Sequence, residues 1–186
     1  MIIIGITGTI GAGKGTIVDY LVDQHNFRHF SVRSYLVREI EKRKLPVNRD
    51  SMVEIANELR AKHSPSFIVE ELYKEAALSN SNCIIESIRT PGEVEMLRTK
   101  PGFYLFAVNA PSELRYERIK IRMSETDHIS FEVFIENEKR EMQSTDPNKQ
   151  NISYCITNAD YVIENVSTLE VLHQKTEDIL HEIFKN

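Results

Sequence analysis

The segment Gly8 to Thr16, reading GTIGAGKGT, constrains this chain more than any other. An apolar, β-branched run, IIIGIT over residues 2–7, precedes it, as expected of a strand buried on both faces. Ile17, Val18, Leu21 and Val22 follow at helical spacing. Strand, glycine turn and helix in that order open an α/β unit. The pattern Gly-x-x-x-x-Gly-Lys is met by Gly8, Gly13 and Lys14. Glycines at such spacing let the backbone curl until successive N–H groups point inward, where they suit phosphate oxygens. The helix that follows adds the positive end of its dipole, and Lys14 adds a mobile charge. A glycine turn that merely joins strand to helix is the simpler alternative, but the flanking elements are those a phosphate loop requires. Gly8, Gly11, Ala12, Gly13, Lys14, Gly15 and Thr16 are therefore predicted to contact a nucleotide's phosphates. Gly15 stands where Ser or Thr is commonest, so Thr16 becomes the nearest hydroxyl for Mg²⁺.

The rest of the chain repeats the alternation. Short strands are predicted at Arg28 to Ser31, Cys83 to Ile85, Phe103 to Val108 and Tyr161 to Ile163, with FYLFAV the clearest central strand. Helices are expected over residues 33–44, over 50–79 with a break at Ser64-Pro65, after Pro91-Gly92, and after Ala110-Pro111-Ser112. Further helices are expected over 131–142, over 152–158, and from Leu169 to the end. Such an order predicts a five-stranded parallel sheet with helices on both faces, in one domain over residues 1–186. The polar stretch 123–130, MSETDHIS, interrupts the pattern.

Composition removes several classes. Lys and Arg number 23 against 28 Asp and Glu, a formal charge of −5, which disfavours a general nucleic-acid binder. No apolar run approaches the roughly 20 residues that span a bilayer, and no basic lead-in marks a signal peptide. Cys83 and Cys155 lack metal-ligand spacing and are read as buried thiols of a reducing, cytoplasmic compartment, with a disulfide between them as the alternative. None of the six histidines forms a pair suited to a metal.

Gly-Lys-Gly-Thr at 13–16, His29-Phe30-Ser31, Glu86-Ser87-Ile88-Arg89-Thr90, and Ala159 to Ile163 with Asn165 together resemble the nucleoside-monophosphate kinases of the adenylate-kinase type. The 86–90 segment is similar to that family's Asp-Gly-x-x-Arg, one residue shorter, and dephospho-CoA kinases share much of the layout. The resemblance implies a P-loop kinase fold with a small helical lid at 123–130. It also implies an ATP- and Mg²⁺-dependent transfer of the γ-phosphoryl group to a nucleoside monophosphate or similar small phosphate acceptor.

Phosphoryl transfer needs positioning and charge neutralisation, so arginines near the loop are the residues to find. Arg89 follows a strand at its carboxyl end, where open α/β sheets bind ligands; a salt bridge to Glu93 is the alternative. Glu86 ends the same strand and is expected to hold Mg²⁺ through water, or else to pair with Arg89. Arg115, Arg118 and Arg122 share one helical face leading to the lid stretch, with a solvated face as the bland reading. Arg118 and Arg122 are the choices for closing over the transferring group. On the acceptor side Arg33, Arg38, Arg49 and Arg60 are all possible anchors, with Arg33 and Arg60 preferred. Two other classes stand beside the kinase: a ribose-hydroxyl kinase, and a nucleotide switch or ATPase. The switch lacks a guanine-reading motif, since Thr99-Lys100-Pro101-Gly102 fails at its last position. The absence of a carboxylate between His29 and Glu39 favours a phosphate acceptor, which needs no base to ionise it.

Overall fold

The computed structural model describes residues 1–122 and 129–185. Its sheet contains β1 (Ile3–Thr7), β2 (Arg28–Ser31), β3 (Cys83–Glu86), β4 (Phe103–Asn109) and β5 (Tyr161–Glu164). The strands are ordered β2-β3-β1-β4-β5 and every neighbouring pair is parallel. The middle place belongs to β1, which carries the loop, rather than to FYLFAV; β4 is one strand out, between β1 and β5.

Alternation along each strand sends side chains to two separate cores. Ile3, Ile85 and Leu105 face one layer, which includes α2 (Val32–Lys42), α3 (Arg49–Lys62), α4 (Phe67–Leu78) and α5 (Pro91–Arg98). Cys155 of α8 (Ile152–Thr157) joins that layer. Ile4, Ile6, Ile84, Phe106 and Val108 face the other, covered by α1 (Lys14–His25) and α9 (Leu169–Lys185). Ile3, Ile4 and Ile6 are fully buried, and burial of such a side chain contributes about 1.5–3 kcal/mol. The remaining helices, α6 (Ser112–Arg122) and α7 (Phe131–Met142), meet through the rings of Tyr116, Phe131 and Phe134.

Helix boundaries follow local chemistry. Ser31 caps α2 by accepting from the Ser34 N–H, and Asn48 with Ser51 forms a capping box on α3. Thr90 and Glu93 do the same for α5, with Pro91 in its first turn. The expected helix over 50–79 is divided at Ser64-Pro65 into α3 and α4. Cys83 and Cys155 are both buried free thiols, and burial pushes the Cys155 thiol up to about 12. Among the described residues no helix is long and apolar enough to cross a membrane. Residues 123–128, most of the expected lid, lie outside the described residues; Ile129 and Ser130 are coil leading into α7.

The parallel arrangement gathers the carboxyl ends of β1, β2, β3 and β4 along one edge. Glu86 is in register with Ser31 on one side and Ile6 on the other, while Thr7 is in register with Ala107. All that follows happens at this edge.

Candidate functional site

The loop after β1 is shaped by what surrounds it. Gly8 has φ +131°, and a Cβ there would sit 2.2 Å from the backbone oxygen of Val108 on β4. Gly13 has φ +101°, and its Cβ would meet Asn165 Nδ2 at 2.2 Å. A side chain at either place is strained by the backbone and has no room. Asn165, just after β5, instead donates from Nδ2 to the Ala12 carbonyl at 2.9 Å. A Cβ at Gly11 would come within 2.5 Å of the Arg115 carbonyl on α6. By contrast a Cβ at Gly15 meets nothing within 4 Å, and Thr16 is half-buried.

Helix α1 begins at Lys14, and its N-cap residue, Gly13, has no side chain with which to cap the first turn. Its leading N–H groups are thus left to an anion, the arrangement expected of a phosphate site. Lys14 Nζ folds back to donate to the carbonyls of Gly8 at 2.9 Å and Thr9 at 2.8 Å. Burial, followed by the nearby Arg89 charge, lowers its ammonium to about 7, against the opposing pull of Glu86 and Glu141.

Lys14 opens on a cavity of about 170 Å³ at the carboxyl edge of the sheet. Of the residues singled out by sequence, Glu86, Arg33, Arg60, Arg89 and Arg122 line it together with Lys14 and Gly11. Val32, Leu36, Met52, Val53 and Ala56 form its apolar wall from α2 and α3. Glu86 lies 3.2 Å from His29 Nε2. Burial works to raise its carboxyl, but the His29 hydrogen bond and the charges of Lys14, His29 and Arg89 outweigh it and hold the group below its ordinary range. Its side-chain partner is His29, and the Arg89 guanidinium turns elsewhere: Nη1 donates to Gln150 Oε1 at 2.7 Å and to Glu141 Oε2 at 3.0 Å.

The salt bridge weighed between Arg89 and Glu93 is replaced by a different contact. Glu93 is fully buried; its Oε2 accepts the backbone N–H groups of Arg89 at 2.7 Å and Thr90 at 3.1 Å. Its Oε1 accepts Arg60 Nε at 3.1 Å and Nη2 at 2.8 Å. Arg60 is 2% exposed, so this ion pair is fully inside the protein. Ser87 adopts φ +73°, a left-handed conformation unusual for serine, and lines the cavity beside Glu86. It sits where the resemblance expects glycine.

The three arginines of α6 separate. Arg122 reaches the cavity. Arg118 does not; its Nη2 donates to the Asn165 carbonyl at 2.9 Å and its Nη1 lies 3.5 Å from the Ala12 carbonyl, placing it beside the loop. Arg115 is buried, donating to the Ala110 carbonyl at 2.7 Å and the Ile10 carbonyl at 3.2 Å while pairing with Glu138 of α7. Arg38 pairs with Glu75 on an exposed surface. Sequence reasoning gave Arg49 second rank and passed over Glu141 and Gln150, yet all three line the cavity. Glu141 is one of several acidic residues on α7, and nothing local distinguishes it.

Among the described residues no cluster of three or more His, Cys, Asp or Glu could hold a metal alone. The Thr16 hydroxyl and Glu86 carboxylate are hard oxygen donors. They fit Mg²⁺, which keeps waters and binds through one or two protein groups plus phosphates.

A family model described as AAA domain matches residues 4–146. A UPF0200 protein of Methanocaldococcus jannaschii is 30% identical over 193 residues, covering 100% of this chain and 92% of that protein. A UPF0200 protein of Methanothermobacter thermautotrophicus is 29% identical and covers 98% of this chain and 91% of its own length. Among solved structures, TT1252 from Thermus thermophilus is similar with TM-score 0.61 at 20% identity, over 97% of both chains. Shikimate kinase from Bacteroides thetaiotaomicron gives 0.59 at 17% identity, over 97% of this chain and 98% of that one. A gluconokinase from Sinorhizobium meliloti gives 0.61 at 10% identity, over 98% and 93%. At such identities these structures establish the P-loop kinase fold and nothing finer.

Proposed function

The chain belongs to the AAA-domain family and to the UPF0200 proteins, and from that premise we propose that it is a nucleotide-dependent phosphotransferase. ATP held on residues 8–16 gives its γ-phosphoryl group to a small phosphate-bearing acceptor, a nucleoside monophosphate or a molecule like it. The observation that carries this reading is one of placement. Lys14, Arg89, Arg122 and Glu86 face the same cavity, next to a helix start that no side chain caps.

In this reading the N–H groups of the loop and of α1 bind the β- and γ-phosphates. Lys14 exchanges its loop carbonyls for phosphate oxygens, and regains its full charge as it does so. Arg89 and Arg122 stand on the acceptor side, where they offset the repulsion between two phosphates brought into line. Arg118 and Asn165 meet the Ala12 carbonyl of the loop, from where Arg118 serves the transferring group and Asn165 steadies the loop. Thr16 and Glu86 would hold Mg²⁺, which would supply charge neutralisation to the phosphates. Arg33 and Arg60 hold the acceptor. Among the described residues six cationic side chains against two carboxylates line the cavity, which suits an acceptor that is itself an anion. Buried free thiols fit a reducing cytoplasm.

One observation favours a second reading. Glu86 lines the cavity, where it could take a proton from a hydroxyl acceptor, although its lowered pKa makes it a weaker base. An ATP-consumption screen across nucleoside monophosphates, deoxynucleotides and dephospho-CoA separates the two. Turnover of a monophosphate supports the first reading. Faster turnover of dephospho-CoA than of every monophosphate supports the second, and no acceptor-dependent consumption at all overturns both.

A further inference from the structure

The cavity contains more hydrogen-bond donors than its own residues satisfy. Among the described residues Arg49 Nε and Arg60 Nη1 are buried without a partner, on two arginines that both line it. An unmet buried donor costs about 1–3 kcal/mol, and more when charged, so such groups mark where a ligand's oxygens are expected. What the protein itself offers is Glu141, near the end of α7 and 4% exposed. Its Oε1 accepts from Arg49 Nη2 at 2.5 Å, and its Oε2 accepts from Arg89 Nη1 at 3.0 Å. The two guanidiniums come from different parts of the fold, the start of α3 and the β3–α5 loop. A single carboxylate bridging them does what a bound oxyanion does at paired arginines.

Glu141 spends both of its oxygens in this bridge and still leaves Arg49 Nε and Arg60 Nη1 unmet. The Glu141 carboxylate, as it is placed, therefore does not answer every donor gathered here. A tetrahedral phosphate, with three oxygens free for protein contacts, answers Arg49, Arg60 and Arg89 at once. We propose that Glu141 is a resident counter-anion, which occupies part of the acceptor's phosphate position and gives up Arg49 and Arg89 when that phosphate enters. The proposal rests on the reading that this cavity receives the acceptor. It makes Glu141 a specificity-determining residue. Each acceptor must displace an ion pair, so a group with weak charge or too few oxygens gains little by doing so. It also links the cavity to the loop: one turn before Glu141, Glu138 of the same helix holds Arg115 against the Ile10 carbonyl.

The test is a titration of the full-length protein with inorganic phosphate, its nucleotide loop first filled with MgADP. Side-chain NMR follows Arg49 Nε–H and the Glu141 carboxyl carbon. Both signals should move together with a single Kd, and the neutral isostere Glu141→Gln should bind phosphate roughly tenfold more tightly, or better. Arg38→Ala, outside the cavity, should leave that Kd unchanged. Equal or weaker phosphate binding by a folded Glu141→Gln overturns the exchange and leaves the phosphotransferase reading standing. If that variant fails to fold, the unaltered protein still decides. Arg49 and Glu141 signals that stay fixed at every phosphate concentration the fold tolerates overturn the proposal. Should MgADP not bind, the phosphotransferase reading fails instead, and titration of the nucleotide-free protein still tests the exchange.

Discussion

Glu93→Gln changes one atom in a side chain that no solvent reaches, and its cost can be worked from four contacts. On one side of the carboxylate stand two N–H groups of Arg60; on the other stand the backbone N–H groups of Arg89 and Thr90. Glutamine offers one oxygen and one NH₂. Whichever way the amide turns, its NH₂ faces two donors, and Arg60 loses its counter-charge while 2% exposed. Breaking a buried pair in this manner costs about 3–5 kcal/mol. For a chain of this size each kcal/mol moves Tm by about 2–4 °C, so the midpoint should fall by roughly 6–20 °C. Equilibrium urea unfolding followed by circular dichroism measures the loss directly. The double variant Arg60→Met with Glu93→Leu removes both charges and fills similar volume. It should cost less than the two single changes added together, because neither charge is left without its partner, although the backbone N–H groups of Arg89 and Thr90 still lose their acceptor. A Glu93→Gln loss below about 1 kcal/mol, or a double variant whose cost equals the sum of the singles, would refute the reasoning.

Lys14→Ala should keep its melting temperature while turnover drops about 10²–10³-fold, since its Nζ bonds two loop carbonyls here and the charge matters in the transition state; an unchanged rate in the folded variant defeats the kinase reading. Gly8→Ala should cost several kcal/mol, because the added Cβ meets the Val108 backbone oxygen, whereas Gly15→Ser should stay within about 0.5 kcal/mol of the parent in open space; paired thermal melts compare them. Glu177 accepts Tyr20 Oη at 2.5 Å and pairs with His25 Nε2 at 2.5 Å, contacts that tie α1 to α9. The Tyr20 hydrogen bond, then His25, holds its carboxyl below the ordinary range. A lowered folded-state value means the stabilisation is present above the unfolded carboxyl's pKa and is lost as pH falls through the folded one. Glu177→Gln should accordingly cost about 1 kcal/mol at pH 7 and progressively less as pH falls below the free carboxyl's range, read from urea midpoints across an acid series.

The strand, loop and helix over residues 2–25 were legible because each signal there is local. β-Branched residues in a row, glycines at backbone positions no other residue occupies without strain, and apolar residues at helical spacing report on their own neighbourhood. The same holds for the Thr90-Pro91-Glu93 helix start and for the break at Ser64-Pro65. Parallel pairing followed from alternation, since strands separated by helices return in the same direction. Even the facing of Ile3 and Ile4 toward opposite cores is a matter of period two.

Which arginine does what could not be read that way. Helical period placed Arg115, Arg118 and Arg122 on one face, and the tertiary structure gave each a different surrounding: Glu138, the loop carbonyls, and the cavity. Arg60 finds Glu93 thirty-three residues away, and Arg49 finds Glu141 ninety-two away. A guanidinium has the same composition on a solvated face as in a sealed core. What separates the two is desolvation and the charges brought near by other elements. Residue spacing settled where the chain could bend and coil; only the packing of distant elements settled which charges lost their water and what they must find in its place.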